Sequence, residues 1–220
     1  MRTYPNFRFE RRLWARGYKF VAGIDEVGRG SFAGPVVAAA VAFAPNSNEI
    51  PKGIIINDSK KLTPKTRERA SFWIKRKALC YGIGRASVSQ INRLGIKKAS
   101  EIAFRKAIIN CKFSINYLLI DAFFIPYVKG LRRKNQKPIV KGDTKSVSIA
   151  AASIIAKVYR DKLMTDLGKK EKFRKYRWAK NKGYGTKEHR AAIRKHGLTR
   201  QHRKTFVETW LSNSSSSQAR

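Results

Sequence analysis

Cysteine is nearly absent from this chain: two residues in 220, Cys80 and Cys111, at a spacing that suits neither a metal site nor a redox pair. Histidine is as scarce. His189, His196 and His202 are strung along one basic segment, which offers no cluster for zinc and leads us to expect solvated or phosphate-facing rings. Long hydrophobic runs are missing too. The longest, Phe32 to Pro45, is alanine-rich and falls short of the ~20 residues a membrane span needs. The chain opens on charged residues and not on a signal peptide, so a reducing cytoplasm is the expected compartment. Acids are the last scarcity: 14 Asp and Glu stand against 49 Lys and Arg, a formal net charge of +35. Such a chain repels itself unless it works against a polyanion. An anionic membrane would call for a lysine-rich amphipathic helix with a clean apolar face, and none stands out, so nucleic acid is the expected partner. A high-AT genome would enlarge the imbalance without setting its sign.

What is present suits a folded protein. With 42% hydrophobic and 11% aromatic residues, 220 residues can bury a core without staples. A short amphipathic helix is expected around Phe9, Leu13 and Trp14. Strands are expected at 21–25, 36–43, 54–56, 80–88, 117–120 and 138–140. Helices are expected from Pro64 to about Ala78 with Thr63 as N-cap, from about Leu94 to Asn110 after a turn at 89–92, over 144–167, and from Thr186 to about Lys195. The order predicts one α/β domain over 1–211, a mixed sheet flanked by helices with a helical C-terminal part, and a disordered serine-rich tail at 212–220.

Three apolar segments stop at an acid: Val21–Asp25 with Glu26 following, Tyr117–Ile120 before Asp121, and Pro138–Val140 shortly before Asp143. In an open α/β sheet, strand ends converge on one edge. Carboxylates gathered there resist ionisation unless they share a cation, and hard oxygen donors favour Mg²⁺ or Mn²⁺. Two such ions can support phosphodiester hydrolysis. Taken singly, Asp25 and Glu26 could be a surface ion-pairing strand end, Asp121 a turn residue and Asp143 the N-cap of the next helix. Because strand side chains alternate, Glu26 is expected to need an end or kink in its strand to share a site with Asp25.

Gly28, Arg29 and Gly30 form a turn whose backbone can approach a sugar or phosphate closely, or merely join two strands. Tyr184, between Gly183 and Gly185, can stack on a sugar or base, or pack into the core. The small face Ala150, Ala151, Ala152, Ser153 and Ala156 reads as close helix packing.

Residues 22–41, AGIDEVGRGSFAGPVVAAAV, resemble the first motif of bacterial ribonuclease HII, a type 2 ribonuclease H. DSKKL (58–62), LLIDA (118–122), KGDTKSVSIAAASIIAKVYRD (141–161), GYGTKEH (183–189) and HRKTF (202–206) resemble further family motifs in order. The resemblance spans about 10–207 and implies a ribonuclease H-like α/β fold. It implies cleavage of the RNA strand of RNA–DNA hybrids and nicking of duplex DNA 5′ of embedded ribonucleotides, leaving a 5′-phosphate and a 3′-hydroxyl. It also implies that Asp25, Glu26, Asp121 and Asp143 are catalytic and hold Mn²⁺ or Mg²⁺, and that Gly28, Arg29 and Gly30 read the ribose 2′-hydroxyl. Tyr184 would stack on the following sugar, Lys60 would contact a phosphate, and the protein would act as a monomer without a membrane. Ser31 and Phe32 depart from the usual proline and leucine, and Arg174, Arg177 and Asn181 from proline, glycine and histidine. Rival readings are a non-catalytic hybrid- or RNA-binding protein, and a ribonuclease H-like nuclease of other specificity.

Overall fold

The computed structural model describes residues 4–47 and 50–216. In chain order the elements are α1 (Arg8–Trp14), β1 (Val21–Val27), β2 (Val36–Ala42), α2 (Pro64–Lys77), β3 (Cys80–Ala86), α3 (Val88–Asn110), β4 (Tyr117–Asp121) and β5 (Gln136–Ile139), then α4 (Val147–Lys169), α5 (Glu171–Arg174), α6 (Trp178–Asn181), α7 (Lys187–His196) and α8 (Lys204–Ser216). They fall into two compact units. The first holds residues 1–27, 37–85 and 100–159, the second 28–36, 86–99 and 160–220.

The first unit is built on a five-stranded sheet in the order β3-β2-β1-β4-β5. β1 pairs antiparallel with β2 and parallel with β4, and β4 pairs parallel with β5, which makes the sheet mixed as expected. Every residue of β2 is buried, as are Val21–Ile24 and Tyr117–Ile120. These continuous apolar runs suit central strands covered on both faces. Val37, Ala39 and Val41 pack with Ile74 of α2 and Ala151, Ile154 and Ile155 of α4.

Small residues let helices come close. A Cβ on Gly23 would meet the backbone of Ser148 and Ile149 at 2.2 Å, so the start of α4 rests directly on β1. Gly82 and Gly84 give α3 the same access to β3, through the carbonyls of Ala107 and Ala103. The buried alanines of α4 bear out the close-packing expectation. Glu10 of α1 fastens the same helix: its Oε1 accepts from Ser146 Oγ at 2.6 Å and from Ser148 N at 2.9 Å. Burial pushes that carboxyl above its ordinary range. Cys80 and Cys111, distant in sequence, are buried neighbours that hydrogen-bond as free thiols.

Thr63 caps α2, accepting from Thr66 N at 3.2 Å, and Pro64 sits at its first turn as expected. Elsewhere the boundaries move. Residues 54–56 form no strand, although Ile56 is buried. The expected turn at 89–92 is helical, and the break lies instead at Gly95, with φ 76 and ψ 162. The helix expected from 144 begins at Val147, after a 3₁₀ turn at Gly142–Thr144. The serine-rich stretch does not begin a disordered tail at Ser212, because α8 continues to Ser216. Residues 217–220 lie outside the described residues. Among those described, no helix is long and apolar enough to cross a membrane.

The second unit packs Phe173, Tyr176 and Trp178 with Phe32, Ala33, Met164, Ile193 and Val207. Gly23→Ala should destabilise the protein by about 1–3 kcal/mol, because the clash is with backbone that cannot rotate away. Urea unfolding of the purified variant checks this, with Gly30→Ala as the control, since a Cβ there meets nothing within 4 Å.

Candidate functional site

β1 and β4 are paired with Ile24 opposite Ile120, so the next residue on each strand is a carboxylate, Asp25 and Asp121. Asp121 also faces Ile139 of β5, and its Oδ1 accepts from Gly142 N at 2.9 Å. That bond ties Asp121 to the turn carrying Asp143. Lys141 enters this turn in the left-handed region, φ 55. Asp143 is not the N-cap of α4. It lies within the 3₁₀ turn, and Ser146 Oγ takes the capping bond from Ile149 N at 3.3 Å. Its carboxylate is therefore not committed to the helix.

The strand neither ends nor kinks at Glu26, contrary to expectation. β1 continues to Val27, with Asp25 opposite Ala39 and Glu26 opposite Ala38. Regular alternation alone would turn the two side chains to opposite faces. Their charges still interact: Asp25 is held well above the usual carboxylate range by burial first, then by Glu26, Asp121 and Asp143. Asp25 Oδ1 accepts from Glu26 N at 2.8 Å, which opposes that rise.

Asp143 is raised by burial, then by Asp58 and Asp121, and is partly held down by Lys60 and Lys61. Asp58 thus joins the acidic cluster, a residue that sequence reasoning missed. The DSKKL run drew attention through its lysine alone, while its first member faces Asp143 electrostatically. Asp58 Oδ1 accepts from Lys60 N at 2.9 Å, and Lys61 N donates to the Asp58 carbonyl at 3.0 Å. This turn presents Lys60 and Lys61 beside the acids.

Among the described residues, no three His, Cys, Asp or Glu side chains are drawn tightly enough to form a cage by themselves. The donor chemistry nevertheless fits a hard divalent cation. Burial and neighbouring carboxylates raise Asp25 and Asp143, so positive charge placed among them would relieve both desolvation and repulsion. Asp25, Glu26, Asp121 and Asp143 could hold such an ion, with Asp58 at the margin.

The second unit contains the Gly28–Gly30 turn and Tyr184. Gly28 has φ +88, and a Cβ there would meet the Arg160 guanidinium at 2.1 Å. Arg29 and Gly30 are exposed. Two buried arginines hold this loop by its carbonyls. Arg160 donates to Ala33 O, Pro35 O and Lys182 O at 3.0–3.1 Å. Arg203 donates to Arg29 O at 2.7 Å and to Gly34 O. Half-buried Tyr184 lies under Arg160, whose guanidinium carbon is 5.4 Å from the ring centroid.

His189 and His202 are not the solvated or phosphate-facing rings that their basic surroundings led us to expect, because both are buried. Trp178 Nε1 donates to His189 Nε2 at 3.0 Å, so that nitrogen accepts. His202 Nε2, 3.2 Å away, must then donate to it, while His202 Nδ1 accepts from Thr199 N. His189 Nδ1 is left to donate to the Tyr184 carbonyl at 2.9 Å. Both rings are neutral in this chain of bonds. Burial, together with its imidazole partner, pulls His202 down to about 4. Burial likewise lowers His189. The imidazoles anchor the backbone of Tyr184, and only His196 is exposed.

Residues 22–209 match the family model described as Ribonuclease HII. The chain is 48% identical over 203 residues to a ribonuclease HII of Caldanaerobacter subterraneus subsp. tengcongensis, covering 92% of this chain and 80% of that one. Among solved structures it resembles ribonuclease H2 from Pyrococcus horikoshii OT3, with a TM-score of 0.70 and 24% identity over 86% of this chain and 95% of that chain. It also resembles Bst-RNase HIII in complex with Mn²⁺, with a TM-score of 0.67 and 21% identity over 91% of this chain and 72% of that chain.

Two outcomes are expected. A carboxyl whose folded pKa is raised costs stability once pH exceeds its unfolded value, and the cost grows until pH passes the folded value. Metal-free Asp25→Asn should therefore melt higher than the parent at pH 7 and about equally at pH 4. Added Mn²⁺ should raise the parent's melting temperature more than the variant's. For His202 the sign is reversed: its neutral burial contributes stability above pH 6.5 that is lost as pH falls toward about 4. Its imidazole resonances should titrate near pH 4 by NMR.

Proposed function

Because the chain belongs to the ribonuclease HII family and is a ribonuclease H endonuclease, we propose that it cleaves the RNA strand of RNA–DNA hybrids and nicks duplex DNA 5′ of embedded ribonucleotides. The products are a 5′-phosphate and a 3′-hydroxyl. The observation that carries this reading is the acidic cluster at the C-terminal ends of parallel strands, in a chain of net charge +35. A pure phosphate binder gains nothing from mutually repelling carboxylates, whereas a phosphodiester hydrolase needs them.

Asp25, Glu26, Asp121 and Asp143 are the catalytic, metal-holding set. A bound Mn²⁺ or Mg²⁺ would supply Lewis acidity and a lowered pKa for water, and a fold relative carries Mn²⁺. Asp121 is oriented for this by the Gly142 N–H and stays half-buried beside Asp25. Lys60 supplies a phosphate contact next to Asp143. The Gly28–Gly30 backbone, with no Cβ on either glycine, takes the ribose 2′-hydroxyl, the group that distinguishes RNA from DNA. Arg29 presents that turn to the strand. Tyr184 stacks on the adjoining sugar, fixed from below by the Arg160 guanidinium. The remaining basic surface provides salt-sensitive duplex affinity without sequence preference. The protein does this as a cytoplasmic monomer.

Asp121→Asn should lower the cleavage rate on the order of 10²-fold or more, by loss of one preorganised charged group, with the circular dichroism spectrum unchanged. The substrate is a DNA duplex with one ribonucleotide, incubated with Mn²⁺ beside an all-DNA duplex and a four-way junction. A nick only on the 5′ side of the ribonucleotide is the expected result. Cutting of the junction, or binding without any cut, would contradict the proposal, as would near-parental nicking by Asp121→Asn.

A further inference from the structure

The first unit carries a surface that the chemistry above does not use. The chain leaves β4 at Asp121, crosses in a loop to the start of β5 at Gln136, opposite Leu118, and returns through β5 to the turn of Asp143, so the loop begins beside the acids and belongs to the segment that joins them. Between those two acids the sequence contains no other Asp or Glu. Lys129, Arg132, Arg133 and Lys134 within the loop are all exposed.

The loop is built, not loose. Ile125, Val128 and Leu131 are buried anchors. The buried amide of Gln136 closes on both backbone groups of Ile125, at 2.9 Å each. Arg105 Nη1 donates to the Pro126 carbonyl at 3.0 Å, and Phe123 packs edge-on against Phe104. On this fixed frame Tyr127 is 93% exposed, with φ 55. A left-handed backbone is costly for any residue with a Cβ, and this one holds an aromatic ring in solvent. Phe124 nearby is partly exposed, with the Arg133 guanidinium 4.5 Å from its centroid.

We propose that loop 122–135 is a second nucleic-acid contact, in which Tyr127 stacks on an unpaired base of a strand leaving the duplex held at the carboxylates. Inside a duplex the base faces are covered by their neighbours, so an aromatic platform gains little there and much against an unpaired base. The surrounding cations attract the phosphates of the same strand. A lipid surface is disfavoured, because Ile125, Val128 and Leu131 are buried as anchors and because the loop leaves β4 directly at Asp121 of the acidic cluster. The proposal rests on the reading of the substrate as a nucleic-acid duplex, but not on cleavage.

Fluorescence anisotropy of the full chain in EDTA, with no metal present, tests it. The probes are a short blunt RNA–DNA hybrid and the same hybrid with a single-stranded DNA tail at either end. The tail should tighten binding by the parent, and Tyr127→Ala should abolish that gain, a loss on the order of tenfold, while binding the blunt hybrid unchanged. Tyr127→Phe should retain the gain. Equal affinity of Tyr127→Ala and the parent for tailed hybrid would overturn the proposal, as would equal losses on blunt and tailed hybrids. So would Tyr127-dependent sedimentation with anionic vesicles in place of tailed-hybrid binding. Failure to nick a ribonucleotide would sink the cleavage reading alone, because no cut is read here.

Discussion

Parallel pairing of β1 with β4 is the constraint on which the acidic cluster depends. It brings Asp25 and Asp121 to adjacent positions at the ends of two buried strands, where burial and the neighbouring carboxylates raise the cost of ionising Asp25. The surroundings hold that arrangement in place. Gly23, two residues ahead of Asp25, lets α4 lie on the strand. The Gly142 N–H binds Asp121, and Glu10 bonds the start of α4 through Ser146 and Ser148. Apolar burial on both faces makes the strands rigid enough to keep like charges together. A site that wants a cation is thus maintained by interactions that have nothing to do with one.

The second unit solves a different problem, the display of backbone. A glycine turn is entropically free in isolation, yet here the carbonyls of the turn and of the segment after it accept from two buried guanidiniums, Arg203 at Arg29 and Gly34, Arg160 at Ala33 and Pro35. Arginine suits this because it stays charged and spreads donors across a plane, so one side chain can hold several carbonyls. The neutral His189 imidazole, itself held by His202 and Trp178, then fixes the Tyr184 carbonyl. The result is a loop whose exposed part, Arg29 and Gly30, is held without being covered.

The departures from the family pattern fit their places physically. Phe32 fills the second unit's core, meeting Trp210 and His189. Asn181 donates to Tyr176 O and accepts from Gly183 N, shaping the approach to Tyr184. Arg177 occupies a left-handed position, φ 55, where a glycine would be unstrained. These residues were legible as departures but not as solutions, because the bonds they make cross several turns of chain.

Acids at apolar strand ends, the glycine turn, the Thr63 and Thr186 caps and the sign of the charge were all determined by local sequence, since each depends on residue type over a few positions. The fold class followed from the order of those patterns. Tertiary structure alone decided the rest: that Asp58 joins Asp143, that Asp143 is free of the helix cap, that Glu26 stays within an unbroken strand, and that His189 and His202 are buried and neutral. The reason is common to all four. Charge coupling and burial depend on distance through space, and residues such as Asp58 and Asp143 meet only after the chain has folded.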